Sequence, residues 1–509
     1  MYSITGYCQS YQWLKTVPIN TVNSFTAGYV TVCDPSGNIY MTGFKDNPLF
    51  YNDILGNVFY NKYNTNGDII FSKELSGKST PYAMKSDSQG NIVMAIGYVE
   101  SVTIGSTTIT APNNNMNMNY SVVKLDSNGN LLWYKILSIT DADIADFRAI
   151  AINADDTIYI GYDSFMDSYI TKYSSTGTEL LSIEQKNVNR ITSVAVDTEG
   201  NIYAAGGCAG IDSKYAGVDI PTNFDYNSYV VKYSPQGTYQ WLKYVEDITC
   251  PDTPTVLVHT PNEIYFSSYL FTNNNFDDIE IEGPTDFSED IFIAKLNASG
   301  NFQWVREASG TGSVTIGNRN YLNLDNTGNI YFTGGTSGTI NWGNGVSTNV
   351  SSALIQNDVL VLKYNSNGNV LLAKTAGGAS DDRIDGVTIN GLGDIFVSGI
   401  AIGNITFDDI EHEAPEFDSY PFLAKISSGT MGTILLKPKT IIVYPNPSSD
   451  YITIAGIDEK LKGTIINALG QKVKDFETSS TSPISITTLP QGTYFITIEN
   501  HKALKFIKQ

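Results

Sequence analysis

One unit recurs seven times along this chain, and each copy is too short to bury a core without its neighbours. Two patterns alternate. The first is an apolar run followed by Asp-x-x-Gly-Asn-Ile-Tyr, then small residues and Gly; it occupies 34–43, 87–97, 197–206 and 325–334, with degenerate copies at 153–161, 259–268 and 390–399. The second is apolar-x-Lys-x-x-x-x-Gly, with its lysines at Lys62, Lys124, Lys172, Lys232, Lys295, Lys363 and Lys425. Four places after that Gly stands a large apolar residue: Phe71, Trp133, Leu181, Trp241, Trp304 and Leu372 in the first six copies. The seventh has Thr433 there and breaks the pattern.

Each pattern reads as a β-hairpin. Asp at the first position caps a type I turn and Gly supplies the residue with positive φ. Flanking β-branched and aromatic residues supply the strands. Two hairpins make four strands, A to D, and radial repetition of such units predicts an all-β, seven-bladed propeller over residues 1–437. Ser10–Lys15 reads almost like Thr238–Lys243, a strand D. The N-terminus is therefore expected to supply the missing strand of the last unit, closing the ring and removing an exposed sheet edge. Only Asp141–Ile152 carries any pattern of helical period.

In this arrangement the tight A–B and C–D turns share one face, and the B–C and D–A connections share the other. The B–C excursions are long and differ between copies: 99–119, 208–227, 270–290, 336–358 and 400–420. Variable loops on a rigid scaffold are where binding sits, so a glycan or protein ligand is expected there. Two excursions are acidic, one with Asp277, Asp278 and Glu280, the other with Asp408 and Asp409. Clustered carboxylates suit Ca²⁺, although solvated loop charge is the plainer account and neither has EF-hand spacing. The seven lysines read as structural, paired with a neighbouring unit's carboxylate.

No catalytic set is visible. The three histidines, His259, His412 and His501, lie in no metal-ligand spacing, and there is no nucleophile elbow or phosphate-cradling loop. Four cysteines allow three pairings. Topology favours Cys208 with Cys250, both on the loop face, and Cys8 with Cys33, both on the turn face.

The chain carries a net charge of −21; from Pro438 onward it is +2, leaving −23 for the repeats. An acidic body argues against nucleic acid and anionic membrane as partners. No run of 18 apolar residues is present, and Met1–Gly6 has neither the basic nor the apolar region of a signal peptide.

The Asp-x-x-Gly-Asn-Ile-Tyr and Val-Val-Lys units, over about residues 10–430, resemble the bacterial β-propeller repeats called SBBP. That resemblance speaks for fold and hardly for function. After Lys437 the repeat stops and six or seven short strands follow over 438–509, a pattern that suggests a small Ig-like β-sandwich. Three motifs there resemble the type A sorting domain of type IX secretion. They are Tyr444-Pro445-Asn446-Pro447, the segment ending at Gly470, and the close holding Gly492, Tyr494 and Lys505. The resemblance implies a Bacteroidota protein that enters the periplasm by a signal peptide. It would then cross the outer membrane through the type IX translocon and its outer-membrane shuttle, to be released or held at the cell surface. The expectation is an exported, non-catalytic binding or adhesion protein. The alternatives are an exported polysaccharide-acting enzyme on the same scaffold, or an accessory subunit retained at the secretion machinery.

Overall fold

A computed structural model describes residues 9–19, 24–48, 55–112, 117–140, 142–246, 249, 251, 253–284, 290–350, 356–415, 418–428, 442–455, 461–478, 482–498 and 503–509. All its regular elements are β-strands, and they form two compact units, one within residues 8–429 and one within 430–509. Asp146–Ile152 is a strand, not a helix. Its residues pair with Ile158–Asp163, and that pairing overrides the weak local periodicity.

The larger unit holds seven antiparallel sheets built on the same four-strand order. The first consists of Ser24–Cys33, Ile39–Pro48, Asn57–Tyr63 and Ile69–Glu74. The seventh consists of Arg383–Ile389, Ile395–Ile402, Ser419–Ile426 and, as its outer strand, Tyr11–Thr16, which pairs antiparallel with Ser419–Ile426. The first strand of each sheet touches that of the next, through Ser79–Ser86, Asp146–Ile152, Ser193–Val196, Thr255–Thr260 and Leu322–Leu324. Arg383–Ile389 then touches Ser24–Cys33 again. Among the described residues no hydrogen-bonded sheet closes on itself; the circuit runs through packing between sheets.

The repeat motif becomes a cross-strand ladder. Its Tyr on strand B lies opposite its Lys on strand C, which lies opposite the large apolar residue on strand D: Tyr203, Lys232 and Trp241, or Tyr265, Lys295 and Trp304. The lysine cations sit over those rings, at 4.6 Å for Lys62 on Tyr40 and 5.0 Å for Lys363 on Tyr331. Their ammonium groups reach the turn carboxylate of the same sheet, at 3.0 Å for Lys62 to Asp34, 2.8 Å for Lys124 to Asp87 and 2.8 Å for Lys425 to Asp394. The carboxylate is thus not the neighbour's, as the sequence suggested. The register sets each lysine beside its own A–B turn, and the neighbour supplies a carbonyl instead. Lys62 donates to Ser127 and Lys124 to Ser175.

The strand D indoles do the same. Trp133, Trp241 and Trp304 donate from Nε1 to a carbonyl in the next C–D turn at 3.0–3.2 Å. The Gly of that turn lies flat on the ring. A Cβ on Gly300, whose φ is +82°, would come within 2.7 Å of Trp241. That residue therefore has two reasons to be glycine. The junction between the seventh and first sheets is made the same way, with Trp13 and Lys425 both donating to the Thr65 carbonyl.

The smaller unit has two antiparallel sheets. Ile442–Tyr444, Tyr451–Ala455 and Ile484–Ser485 form one; Lys472–Thr478, Leu461–Asn467, Gly492–Ile498 and Leu504–Lys508 form the other. Ile452, Ile454, Ile465, Tyr494, Ile496 and Phe506 bury a common core.

Candidate functional site

The variable excursions are not free loops. Within each of the five is a short hairpin whose residue just before the turn is large, apolar and buried: Ile104, Tyr215, Phe276, Trp342 and Phe407. Several of the hairpins dock on the outer strand of the preceding sheet. Ala209–Tyr215 pairs with Glu179–Val188, and Ile405–Phe407 pairs with Val370–Gly378. They are clasps between sheets, which accounts for their length without a ligand.

The acidic residues belong to these clasps. Asp277, at φ +56°, accepts from the Phe302 backbone N–H at 2.9 Å and pairs with Lys243 of the preceding sheet at 2.5 Å. Asp408, at φ +53°, repeats the arrangement with the Tyr11 N–H at 2.8 Å and Lys374 at 2.6 Å. Asp278, Glu280 and Asp409 face solvent. Among the described residues no group of three or more His, Cys, Asp or Glu comes together as a metal site. In each acidic cluster one carboxylate is thus already engaged, by one lysine and one backbone N–H.

The feature that sequence reasoning missed lies on the axis. The first strands line a small cavity of about 70 Å³. Its floor is apolar, with Val30, Met84, Ile150, Val194, Leu257 and Leu322 among its lining. Its charged lining groups, Lys85, Arg148 and Arg319, are all cationic, beside neutral Ser, Thr and Asn side chains. Arg319 is held between two tyrosine rings, with its guanidinium carbon 4.3 Å from the centre of Tyr29 and 5.3 Å from that of Tyr82. Nη1 donates to the Asn318 carbonyl, whereas the buried Nε has no partner among the described residues. Arg148 pairs with Asp146 at 2.5 Å, and Arg383, close by, pairs with Asp385 at 2.7 Å. Lys85 also faces the cavity; burial pushes its ammonium below the ordinary lysine value, and no nearby charge opposes that shift.

Two of the chain's five arginines thus line one cavity in an acidic protein, and a third, Arg383, lies near enough to act on Tyr29. The available signal was their scarcity. They occupy no common repeat position, so the spacing gave no warning. Carboxyl groups at the same end of the strands are pushed up: Asp163 to about 7 by burial and then by Asp146, and Asp382 to about 7, again chiefly by burial.

Of the cysteines, Cys33 is a free thiol, pushed up to about 12 by burial, so it does not pair with Cys8, which lies outside the described residues. Strand A ends at Cys33 inside the packed junction with the seventh sheet, where its N–H takes the Thr388 hydroxyl. Cys208 is disulfide-bonded; its partner lies outside the described residues, as does Cys250.

In the smaller unit the first and last motifs meet. Asn446 donates from Nδ2 to the Lys505 carbonyl at 3.0 Å and accepts from the Ile507 N–H at 2.9 Å. Tyr444-Pro445 and Asn446-Pro447 are cis. Tyr494 stacks on Phe506 and donates to the Pro490 carbonyl. Gly470, at φ +78°, completes a turn capped by Asn467. Gly492 opens the strand that carries Tyr494.

With these three motifs on one small fold, the comparison with known families is decisive for this part of the chain. Residues 442–509 match the family described as the secretion system C-terminal sorting domain. The tail is similar to a secretion sorting domain. Such a tail implies export to the cell surface or the medium and interaction with the secretion machinery. The repeat body is similar, at 24% identity over 206 residues, to an uncharacterised WD repeat-containing protein of Acanthamoeba polyphaga mimivirus. That match covers 39% of this chain and 12% of the viral protein, so the chain spans a small part of that relative. Among solved structures, the Neurospora crassa Pan2 WD40 domain is 7% identical at a TM-score of 0.42, covering 82% of this chain and 95% of that one. The Dos1 propeller is 11% identical at a TM-score of 0.40, with 82% and 96% covered. A protein of unknown function from Dyadobacter fermentans is 10% identical at 0.40, with 81% and 99% covered. Among the described residues no helix is long and apolar enough to cross a membrane.

Proposed function

We propose that the chain is an exported binding protein of a Bacteroidota cell, in which a seven-bladed β-propeller of SBBP-type repeats is the working module and the C-terminal Ig-like sandwich is its address. The match of 442–509 to a sorting domain carries the reading. The propeller ends at residue 437, and Tyr11–Thr16 completes its last blade; the seven sheets that share one four-strand order and the circuit of first strands support this. The tail engages the type IX translocon and its outer-membrane shuttle, with Tyr444, Asn446 and Lys505 among the residues read. The body binds a glycan or protein as a non-catalytic module. Its polar axis cavity, and excursions already engaged as clasps, move the expected site from the loops to the channel. A Cys208–Cys250 disulfide fits an oxidising destination. In support, the Pro251 carbonyl lies 2.8 Å from where a Cβ on Gly207 would stand.

Deleting residues 438–509 is the test. The body then accumulates in the periplasm and leaves the surface and medium; export at the level of the intact chain would refute the reading. An enzyme acting on polysaccharide is the second reading, favoured by Asp163, which burial and Asp146 keep half-protonated near neutral pH as a general acid requires. Release of reducing ends from a polysaccharide panel, abolished by Asp163→Asn, separates it from binding alone.

A further inference from the structure

Beside the axis cavity lies a second pocket, of about 200 Å³, which shares Asn318 with it. The stretches that line it sit at the loop-face ends of strands. Thr315 and Asn318 lie ahead of Leu322–Leu324 in the sixth sheet, and Asn357 precedes that sheet's Asp358–Tyr364. Asp381 stands where Arg383–Ile389 of the seventh sheet begins, and Tyr269 lies at the end of Glu263–Leu270 in the fifth. The pocket is smaller than the roughly 300–1,000 Å³ that encloses a drug-sized ligand and suits a single small ring.

Its charge is nearly balanced. Arg383 is neutralised by Asp385 at 2.7 Å. Asp382 has given both oxygens to backbone, accepting from the Gly378 and Ile402 N–H groups at 2.9 and 3.0 Å. That leaves the exposed Asp381, oriented through one oxygen by the Asn357 N–H at 3.1 Å and close enough to Arg383 for the two charges to interact. A carboxylate ligand would meet Asp381 with no unpaired cation in the lining to offset it.

The amides of the pocket are unspent. In the repeat turns the fold consumes its asparagines: Asn38, Asn91, Asn201 and Asn329 each donate to the aspartate four places earlier. The Asn318 and Asn357 side chains have no hydrogen-bond partner among the described residues, although their backbones are fixed, the Asn318 N–H on Asp385 and the Asn357 N–H on Asp381. A carboxylate and two amides held this way present donors and acceptors in flat, fixed pairs. Hydroxyls on adjacent carbons of a sugar both donate and accept, and such pairs match them. Tyr269 takes the Ile316 N–H at 3.1 Å and has the Phe271 ring 5.7 Å away, centre to centre; it adds an aromatic wall for the apolar side of a sugar ring.

We infer that this pocket is a subsite for one neutral hexose, with Asp381 and the Asn318 and Asn357 amides taking its hydroxyls. The terminal residue of a neutral glycan and a free monosaccharide present the same groups. The inference deepens the binding-module reading and rests on it.

The experiment is titration calorimetry on the full chain with the methyl glycosides of glucose, galactose and mannose, their linear trimers, galacturonate and spermidine. A neutral glycoside binds, and its affinity is the same at about 50 and 200 mM salt, as an uncharged contact requires. Asn357→Ala and Asp381→Ala each weaken it roughly ten-fold or more, the cost of leaving hydroxyls unpaired. Gln240→Ala, exposed on an outer strand of the fourth sheet, leaves it unchanged. A trimer tighter than its monomer assigns the subsite to a glycan end; equal affinities assign it to a free sugar. Neutral-sugar binding that survives both pocket variants overturns the subsite while the binding module stands. Galacturonate or spermidine binding without the neutral sugars overturns the ligand class, and silence from every saccharide overturns the inference and leaves the module to a protein ligand. Unfolding midpoints and near-ultraviolet circular dichroism of the variants matching the parent show that a lost signal is not a lost fold; the isosteric Asn357→Asp, which replaces two donors with acceptors, must weaken binding as well.

Discussion

The two ends of the same strands treat charge in opposite ways. At the tight-turn end the carboxylates are supported. Burial raises Asp87, but the Lys124 ammonium and the Asn91 donors outweigh it and hold the group below the usual range, and Asp325 is lowered to about 2 by the Asn329 and Thr327 donors against the same burial. At the other end the carboxyls are stranded. Burial pushes Asp290 up to about 6, and Glu307, Asp382 and Asp163 up to about 7. One end spends its ionisable groups on holding sheets together; the other keeps them at a cost, and perturbed groups of that kind gather where ligands are handled.

The contrast breaks first at Asp87. Its side chain is fully buried and Lys124 nearly so, at 0% and 5% exposure. Asp87→Ala strands the ammonium, uncaps the turn and costs about 3–5 kcal/mol of stability, read as a lower unfolding midpoint in denaturant; a loss under about 1 kcal/mol would remove the distinction between the two ends.

The pH profile comes next. Groups with raised values, Asp163, Asp382 and Glu307, contribute most below the unfolded carboxylate value near 4 and lose that contribution as pH rises through about 7. Groups with depressed values, Asp87 and Asp325, act in the opposite sense, stabilising above about 4 and failing as pH falls toward 2. Thermal scans should therefore show a maximum between these limits, with roughly 2–4 kcal/mol lost on the neutral side. Asp382→Asn should flatten that neutral limb and leave the acid limb unchanged.

Replacing the unpaired cation sharpens the comparison in the other direction. Lys85→Met is expected to stabilise the ligand-free protein by about 1 kcal/mol, since it removes a desolvated charge and keeps the volume, whereas Lys124→Met should destabilise it. The same sign for both would show the channel lysine to be another packing lysine. Smallest of all is Lys243→Ala, which breaks a clasp pair whose partners are 25% and 33% exposed; about 0.5 kcal/mol is expected, detectable in a double-mutant cycle with Asp277→Ala.

Much of this was written in the repeats. Asp, Gly, Tyr, Lys and Trp recur because each fills one rung or one turn of the ladder, and Ser10–Lys15 matched strand D because it is one. The clasps were partly legible: Asn344-Gly345 is a hairpin signal, but Asp277 and Asp408 looked like cation ligands because sequence does not reveal that Lys243 and Lys374 arrive from the preceding sheet. The channel was not legible. Arg148, Arg319 and Arg383 come from different repeats at different offsets from their A–B turns, and only the circuit of first strands brings them near one another.

The outer strand of the seventh sheet also fixes an order of events. Ser10 and Ser427, joined across that seam, are 417 positions apart in the chain. At roughly 5–20 residues per second on the ribosome, Tyr11–Thr16 emerges about 20–80 s before its partner exists. Until then the first-made strand has no sheet to join, and until it joins, Ser419–Ile426 presents an unpaired edge. A second nascent copy can offer the same strand to that edge, so crowding during synthesis favours chains that complete one another's last sheet.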